Sequence, residues 1–192
     1  MRSLREAAGP DMQVMIDAWA NWGVPYTLRM ADLLKEYEPA WIEEPVQYPL
    51  HDSYLELKLK SPIPIAGGEH EFTRWGVKAL LDQDILDIYQ FEPIWAGGIS
   101  ELMKIGALVS SYDATFIPHV YVPAASAQIA FTLNAMTTPM LEYHYILGEV
   151  YQFFLENPVK PKQGWFYPPE SPGIGITIDE EKVEAEKEVN FG

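Results

Sequence analysis

Three carboxylates, Asp17, Glu43 and Glu69, stand 26 residues apart in this chain, and each closes a short apolar run. Val14-Met15-Ile16 precedes Asp17, Trp41-Ile42 precedes Glu43, and Ile63-Pro64-Ile65-Ala66 leads through two glycines to Glu69. The beat continues with Glu92 after Ile88-Tyr89-Gln90-Phe91, His119 after Phe116-Ile117-Pro118 and Glu142 after Met140-Leu141, at steps of 23, 27 and 23 residues. A strand, a helix and the two loops of a βαβ unit need about that many residues. The period therefore predicts six successive parallel strands, each with a polar, chemically able side chain at its carboxyl end. Strands alternating with helices imply a parallel sheet, and crossovers of one hand curl it toward a (β/α) barrel, whose active-site face is that end.

The segments between the beats fit this α/β reading. Residues 1–9 read as a helix closed by Gly9-Pro10, Pro25 to Tyr37 and Ser53 to Leu59 as helices, and Thr73 as the N-cap of a helix over Arg74–Leu81. Gly97-Gly98 leads into a helix bearing Leu102, Ile105, Leu108 and Val109, and Ala124–Ala135 separates the strands Thr115–Ile117 and Pro139–Tyr143. The glycine pair suits either an anion at a helix N-terminus or a tight βα turn. Trp75, Trp95 and Trp165 are expected to pack. After Tyr145 the pattern gives way to a Pro-rich stretch, a candidate strand at Gly173–Ile178 and a charged helix, Glu180–Glu188, capped by Asp179. The expected division is a partial barrel over 1–145 and an extension over 146–192.

At 192 residues the chain can bury a real core. A net charge of −15 argues against nucleic-acid backbones and anionic membranes as partners. No Cys is present, so disulfides, thiolate metal sites and Cys nucleophiles are excluded. No apolar stretch approaches the roughly 20 residues that span a bilayer, and residues 1–6 lack the apolar core of a secretion signal. A cytoplasmic protein is expected.

Three carboxylates on adjacent strand ends would repel and raise one another's pKa. A hard divalent cation removes that conflict, and oxygen-only ligands point to Mg²⁺, held by Asp17, Glu43 and Glu69. Such an ion leaves positions for a substrate carboxylate and stabilises charge formed when the neighbouring proton is removed. His119, with Glu92 on the strand between, makes a plausible proton carrier if the carboxylate fixes its tautomer.

The stretches Arg5-Glu6-Ala7-Ala8-Gly9-Pro10-Asp11, Trp41-Ile42-Glu43-Glu44-Pro45, Gly68-Glu69-His70-Glu71, Trp95-Ala96-Gly97-Gly98-Ile99-Ser100-Glu101, Ile117-Pro118-His119 and Ser171-Pro172-Gly173-Ile174-Gly175 resemble the enolase superfamily, in its mandelate-racemase-like branch. Gly68 to Gly76 is similar to rhamnonate-type sugar-acid dehydratases in particular. The resemblance implies a (β/α) barrel incomplete at its N-terminus, with about six βα units here and a capping domain and two strands expected before Met1. It implies Mg²⁺ on Asp17, Glu43 and Glu69, His119 as acid and base, and Glu142 near the substrate carboxylate or enediolate oxygen. Glu92 stands where the family carries Asp as the partner of the histidine. The implied activity is a carbon–oxygen lyase removing water from a small acid sugar. Racemisation, cycloisomerisation, or a non-catalytic piece that keeps the metal site remain open. An open barrel exposes sheet edges, so a homo-oligomer is expected.

Overall fold

The first five beats fold as strands, and the alternation of apolar side chains along them decides what each face of the sheet meets. The computed structural model describes residues 1–185 and 187. β1 (Val14–Asp17), β2 (Pro39–Glu43), β3 (Ile65–Gly67), β4 (Ile88–Tyr89) and β5 (Thr115–Phe116) form one parallel sheet in chain order. α1 (Arg2–Ala8) precedes β1; α2 (Val24–Leu34), α3 (His51–Lys60) and α4 (Thr73–Gln83) are the first three crossovers. α5 (Pro93–Ala96) and α6 (Ile99–Ser110) together bridge β4 and β5, and α7 (Pro123–Thr132) follows β5. Among the described residues β1 and β5 are the edges of the sheet.

Because side chains alternate along a strand, the sheet divides its apolar residues between two cores. Ile42, Ile65, Tyr89 and Phe116 face the helices and join Leu57, Val77, Leu80, Leu102, Ile105 and Ile129 in the main core. Trp41, Ala66 and Ile117, with Met15 and Ile88 against them, form a smaller core on the opposite face. Strands covered on both faces read as continuous apolar runs, as these do. α6 turns Leu102, Ile105 and Val109 inward, the spacing that marked it as amphipathic. Gly97 and Gly98, at φ +108° and +92°, link α5 to α6 as a tight turn.

Three segments depart from expectation. Pro139–Tyr143 does not form a sixth strand among the described residues. Phe116 N–H donates to Thr137 O at 2.7 Å, but the chain then meets Pro139, which has no N–H to carry a ladder onward. Thr73 is the first residue of α4 rather than its cap, and it lies at φ +56°. The free end is shared: Thr73 Oγ1 accepts from Trp75 N–H at 3.3 Å, and Glu101 Oε1 of α6 accepts from Arg74 N–H at 3.0 Å while pairing with its guanidinium. The charged helix after Asp179 shrinks to the 3₁₀ turn Glu180–Lys182, with the Asp179 carboxylate accepting from Glu181 N–H, and its far end, Glu188, lies outside the described residues.

Between them, α8 (Leu147–Tyr151) follows the broken beat, and a single antiparallel bridge, Leu155 to Ile178, stands in place of the strand expected at Gly173–Ile178. The tryptophans pack less than expected: Trp75 is 72% and Trp165 70% exposed, and Trp95 lies against His70 and Phe72 at the surface. No helix among the described residues is long and apolar enough to cross a membrane.

Ile42, wholly buried at the centre of the main core, provides a check. Ile42→Ala is expected to lower unfolding free energy by about 2–5 kcal/mol in denaturant titration. Leu59→Ala, at a side chain 76% exposed, should cost less than about 0.5 kcal/mol.

Candidate active site

The same alternation carries past the strand ends. Met15 and Trp41 lie on the smaller-core face, so Asp17 and Glu43, two residues on, rise above them; β1 and β2 place Asp17 beside Glu43 in register. Ile117 sets His119 in the same way. Met15, Asp17, Trp41, Glu43, Gln90, Ile117, Met140, Leu141 and Glu142 line one cavity of about 260 Å³. Glu142 reaches it from the broken sixth beat, so the absent ladder does not remove this side chain from the site.

Glu69 arrives by a different route. β3 stops at Gly67, and Gly68, at φ +104°, bends the chain so that Glu69 turns in, 5% exposed. A Cβ on Gly68 would stand 3.0 Å from the Phe91 ring, so the turn requires glycine twice over, for its dihedral and for its space. Glu44 also sits in the left-handed region, at φ +34°, between Glu43 and Pro45. Such conformations cost energy in a non-glycine residue and concentrate at functional sites.

Burial is the largest influence on Glu43, Glu69 and Glu142. It pushes Glu43 up to about 7, Glu142 to about 8 and Glu69 to about 9, and the neighbouring carboxylates push each further. For Glu69 those neighbours are Glu44, Glu43, Glu142 and Asp17, so one acid senses all the others. Gln90 and Trp41 face Glu43 and pull it partly back.

His119 is 7% exposed, and burial lowers it to about 4, with His70 and His144 adding to the fall. Its Nε2 lies 3.1 Å from Glu69 Oε2 and 3.7 Å from Glu142 Oε1. Burial favours the uncharged form of the imidazole and of both carboxyls.

The expected pairing of His119 with Glu92 is not made. Glu92 is fully buried and caps α5, Oε2 accepting from Ile94 N–H and, at 3.1 Å, from Trp95 N–H. Its Oε1 and His119 Nδ1 are both buried without partners. The Glu-Pro sequence explains this: Pro93 starts a helix immediately, and the carboxylate one residue before it satisfies the free N–H groups of that first turn.

Gln90, Glu44 and His70 belong to the site but were not singled out by the sequence. Gln90 was signalled by parity, two residues beyond Ile88. His70 Nδ1 lies 3.0 Å from Glu44 Oε2, and its Nε2 lies 3.6 Å from Glu69 Oε1. Among the described residues, Glu44, Glu69 and His70 are the set of three whose donor atoms all lie within 4.8 Å of one another, a candidate cation site. Among the described residues the expected trio Asp17, Glu43 and Glu69 does not draw together as closely: Asp17 is exposed, its Oδ1 accepting from Trp19 N–H at 2.8 Å, while Glu43, half-buried, and Glu69, buried, are held above their ordinary range, as a cation-ready pair would be.

The enolase C-terminal domain-like family model matches residues 1–182. L-Rhamnonate dehydratase of Saccharopolyspora erythraea is 35% identical over 187 residues, covering 94% of this chain and 48% of that protein. The crystal structure of the 3,6-anhydro-D-galactonate cycloisomerase from Zobellia galactanivorans superposes with TM-score 0.82 at 29% identity, over 94% of this chain and 52% of its own. An enolase from Bradyrhizobium, complexed with magnesium and mandelic acid, gives 0.85 at 24% identity, over 94% and 48%. The chain spans about half the length of the relatives it matches.

The raised acids set the pH dependence of the cation-free chain. Folded-state values above the unfolded one of about 4.3 mean that the native state binds more protons, so stability falls as pH rises between about 5 and about 9. Thermal melts without divalent cation should show the midpoint falling across that window, and less so in Glu69→Gln. Added Mg²⁺ should raise the midpoint most at the alkaline end.

Proposed function

The chain belongs to the enolase C-terminal domain-like family, and on that premise we propose that it is the catalytic barrel portion of a Mg²⁺-dependent sugar-acid dehydratase. The observation that carries this reading is the contact of His119 Nε2 with Glu69 and Glu142, the second of which lines one cavity together with Asp17 and Glu43. Asp17, Glu43 and Glu69 would hold the ion. Bound there, Mg²⁺ would supply positive charge that offsets the acids and favours negative charge developing on a substrate carboxylate.

The rest of the chemistry falls to side chains. Burial keeps His119 neutral at working pH, so Nε2 can take the proton beside the substrate carboxylate. The electron pair left behind expels the β-hydroxyl, which departs as water after receiving a proton from the same imidazole. Glu142, 3.7 Å from that nitrogen, is placed to hydrogen-bond a substrate oxygen. Glu92 serves this reading by building the α5 turn rather than by touching the imidazole. Residues 1–145 would carry the reaction and 146–192 form an extension, in a cytoplasmic enzyme acting on a small acid sugar. The exposed edges β1 and β5 favour a homo-oligomer.

A cycloisomerase is the second reading, favoured by the Zobellia structure at 29% identity. A metal-binding pseudoenzyme would instead fit the unpaired His119 Nδ1.

Acid sugars incubated with the chain and Mg²⁺, alone and together with the half of the rhamnonate dehydratase that it does not match, should yield dehydrated keto acids. An isomer of equal mass would favour the cycloisomerase, and no turnover in either arm, with no Mg²⁺ binding, would count against an enzyme of this class. His119→Asn should lower kcat about 100- to 10,000-fold with folding unchanged. Light scattering should give a mass above that of one chain.

A further inference from the structure

The backbone of His119 is fixed and its ring is not, at least by hydrogen bonds at Nδ1. His119 N–H donates to Phe91 O at 3.2 Å, and Ser126 Oγ donates to His119 O at 2.7 Å. These two contacts hold the residue against β4's extension and α7. The side chain touches acids only through Nε2, while Nδ1 is buried without a partner. A ring tethered through one nitrogen is free to pivot unless something packs on its faces or edges.

Tyr121 does so. Its ring meets the imidazole in an edge-to-face contact, centroids 4.5 Å apart at 67°, closer than any other aromatic pair among the described residues. Tyr121 is in turn braced by Tyr151, the last residue of α8, at 5.4 Å and 86°. Rings crossed in this way prefer defined angles, because the positive edge of one seeks the negative face of the other.

On the acid–base reading of His119 given above, we infer that Tyr121 is a positioning residue for this imidazole, and that Tyr151 braces it from the segment after the barrel. The hydroxyls are not required; the rings are. The edge-to-face His–Tyr–Tyr chain takes the orienting role that a hydrogen bond at Nδ1 otherwise plays. It also gives the extension beyond Tyr145 a part in the reaction, through packing rather than through contact with substrate.

The test uses the whole chain and two readouts. In proton NMR of the imidazole C–H signals, assigned by their loss in His119→Asn, the ring current of Tyr121 should displace His119 from its unfolded position. Tyr121→Phe should keep that displacement, and Tyr121→Leu should abolish it. In turnover of an acid sugar with Mg²⁺, Tyr121→Leu should lower kcat about 10- to 100-fold with KM nearly unchanged, and Tyr121→Phe should restore it. His119 signals unmoved in a folded Tyr121→Leu would overturn the inference, as would failure of Tyr121→Phe to rescue, which would move the role to the hydroxyl. Should Tyr121→Leu not fold, Tyr151→Leu, at a half-exposed side chain, takes its place; it should shift the same signals in the same sense by a smaller amount, and no shift would overturn the inference. If the wild-type chain turns over no acid sugar, the dehydratase reading fails by itself, and the NMR readout still decides the positioning role.

Discussion

Glu69, buried, and Glu43 and Glu142, half-buried, lie within one another's fields at one rim of a parallel sheet, where desolvation is the largest reason each holds its proton above the ordinary carboxylate range. Few folds tolerate such crowding without a positive partner, since desolvated like charges repel strongly at short range. Everything else in the site follows from accommodating it. His119 stays neutral, its Nε2 contacts two of the acids, and Gln90 and Trp41 turn polar atoms toward a third. Crowding of this kind costs the folded chain stability.

The fold supplies that crowding by parity more than by proximity in sequence. Met15, Trp41 and Ile117 anchor the inner face, and the residues two places on inherit their direction. Where parity does not suffice, the backbone bends out of ordinary strand geometry. Gly68 turns Glu69 into the site after β3 has ended, and Glu44 accepts a left-handed conformation between its neighbouring acid and Pro45. The larger core on the opposite face can meanwhile be packed from Ile42, Leu57, Leu102 and Phe116 with no reference to chemistry. The larger core and the candidate site thus occupy opposite sides of one sheet.

Much of this was legible in the residues. The spacing of Asp17, Glu43 and Glu69 announced repeated βα units, and the apolar spacing of α6 announced its packing face; α2 instead buries Thr27 and Ala31 and leaves Leu33 exposed. What escaped reading was local competition for the same atoms. Glu92 looks like a partner for His119 until Pro93 is seen to start a helix whose free N–H groups claim the carboxylate. Pro139–Tyr143 has the composition of a strand, but the missing N–H of Pro139 stops the ladder where it should begin. Glu44 and His70 were hidden for another reason. Their pairing depends on a backbone bend after β2 and another after β3, and neither bend has a signature in the side chains it brings together.

Glu142 lies beside His119 on a stretch whose backbone hydrogen bond to the sheet, among the described residues, is made at Thr137, before Pro139. A wall attached so lightly can be redrawn residue by residue while the strands bearing the other acids keep their register. Descendants of such a scaffold could therefore trade one polar group for another at that wall and explore new reactions without relearning how to fold.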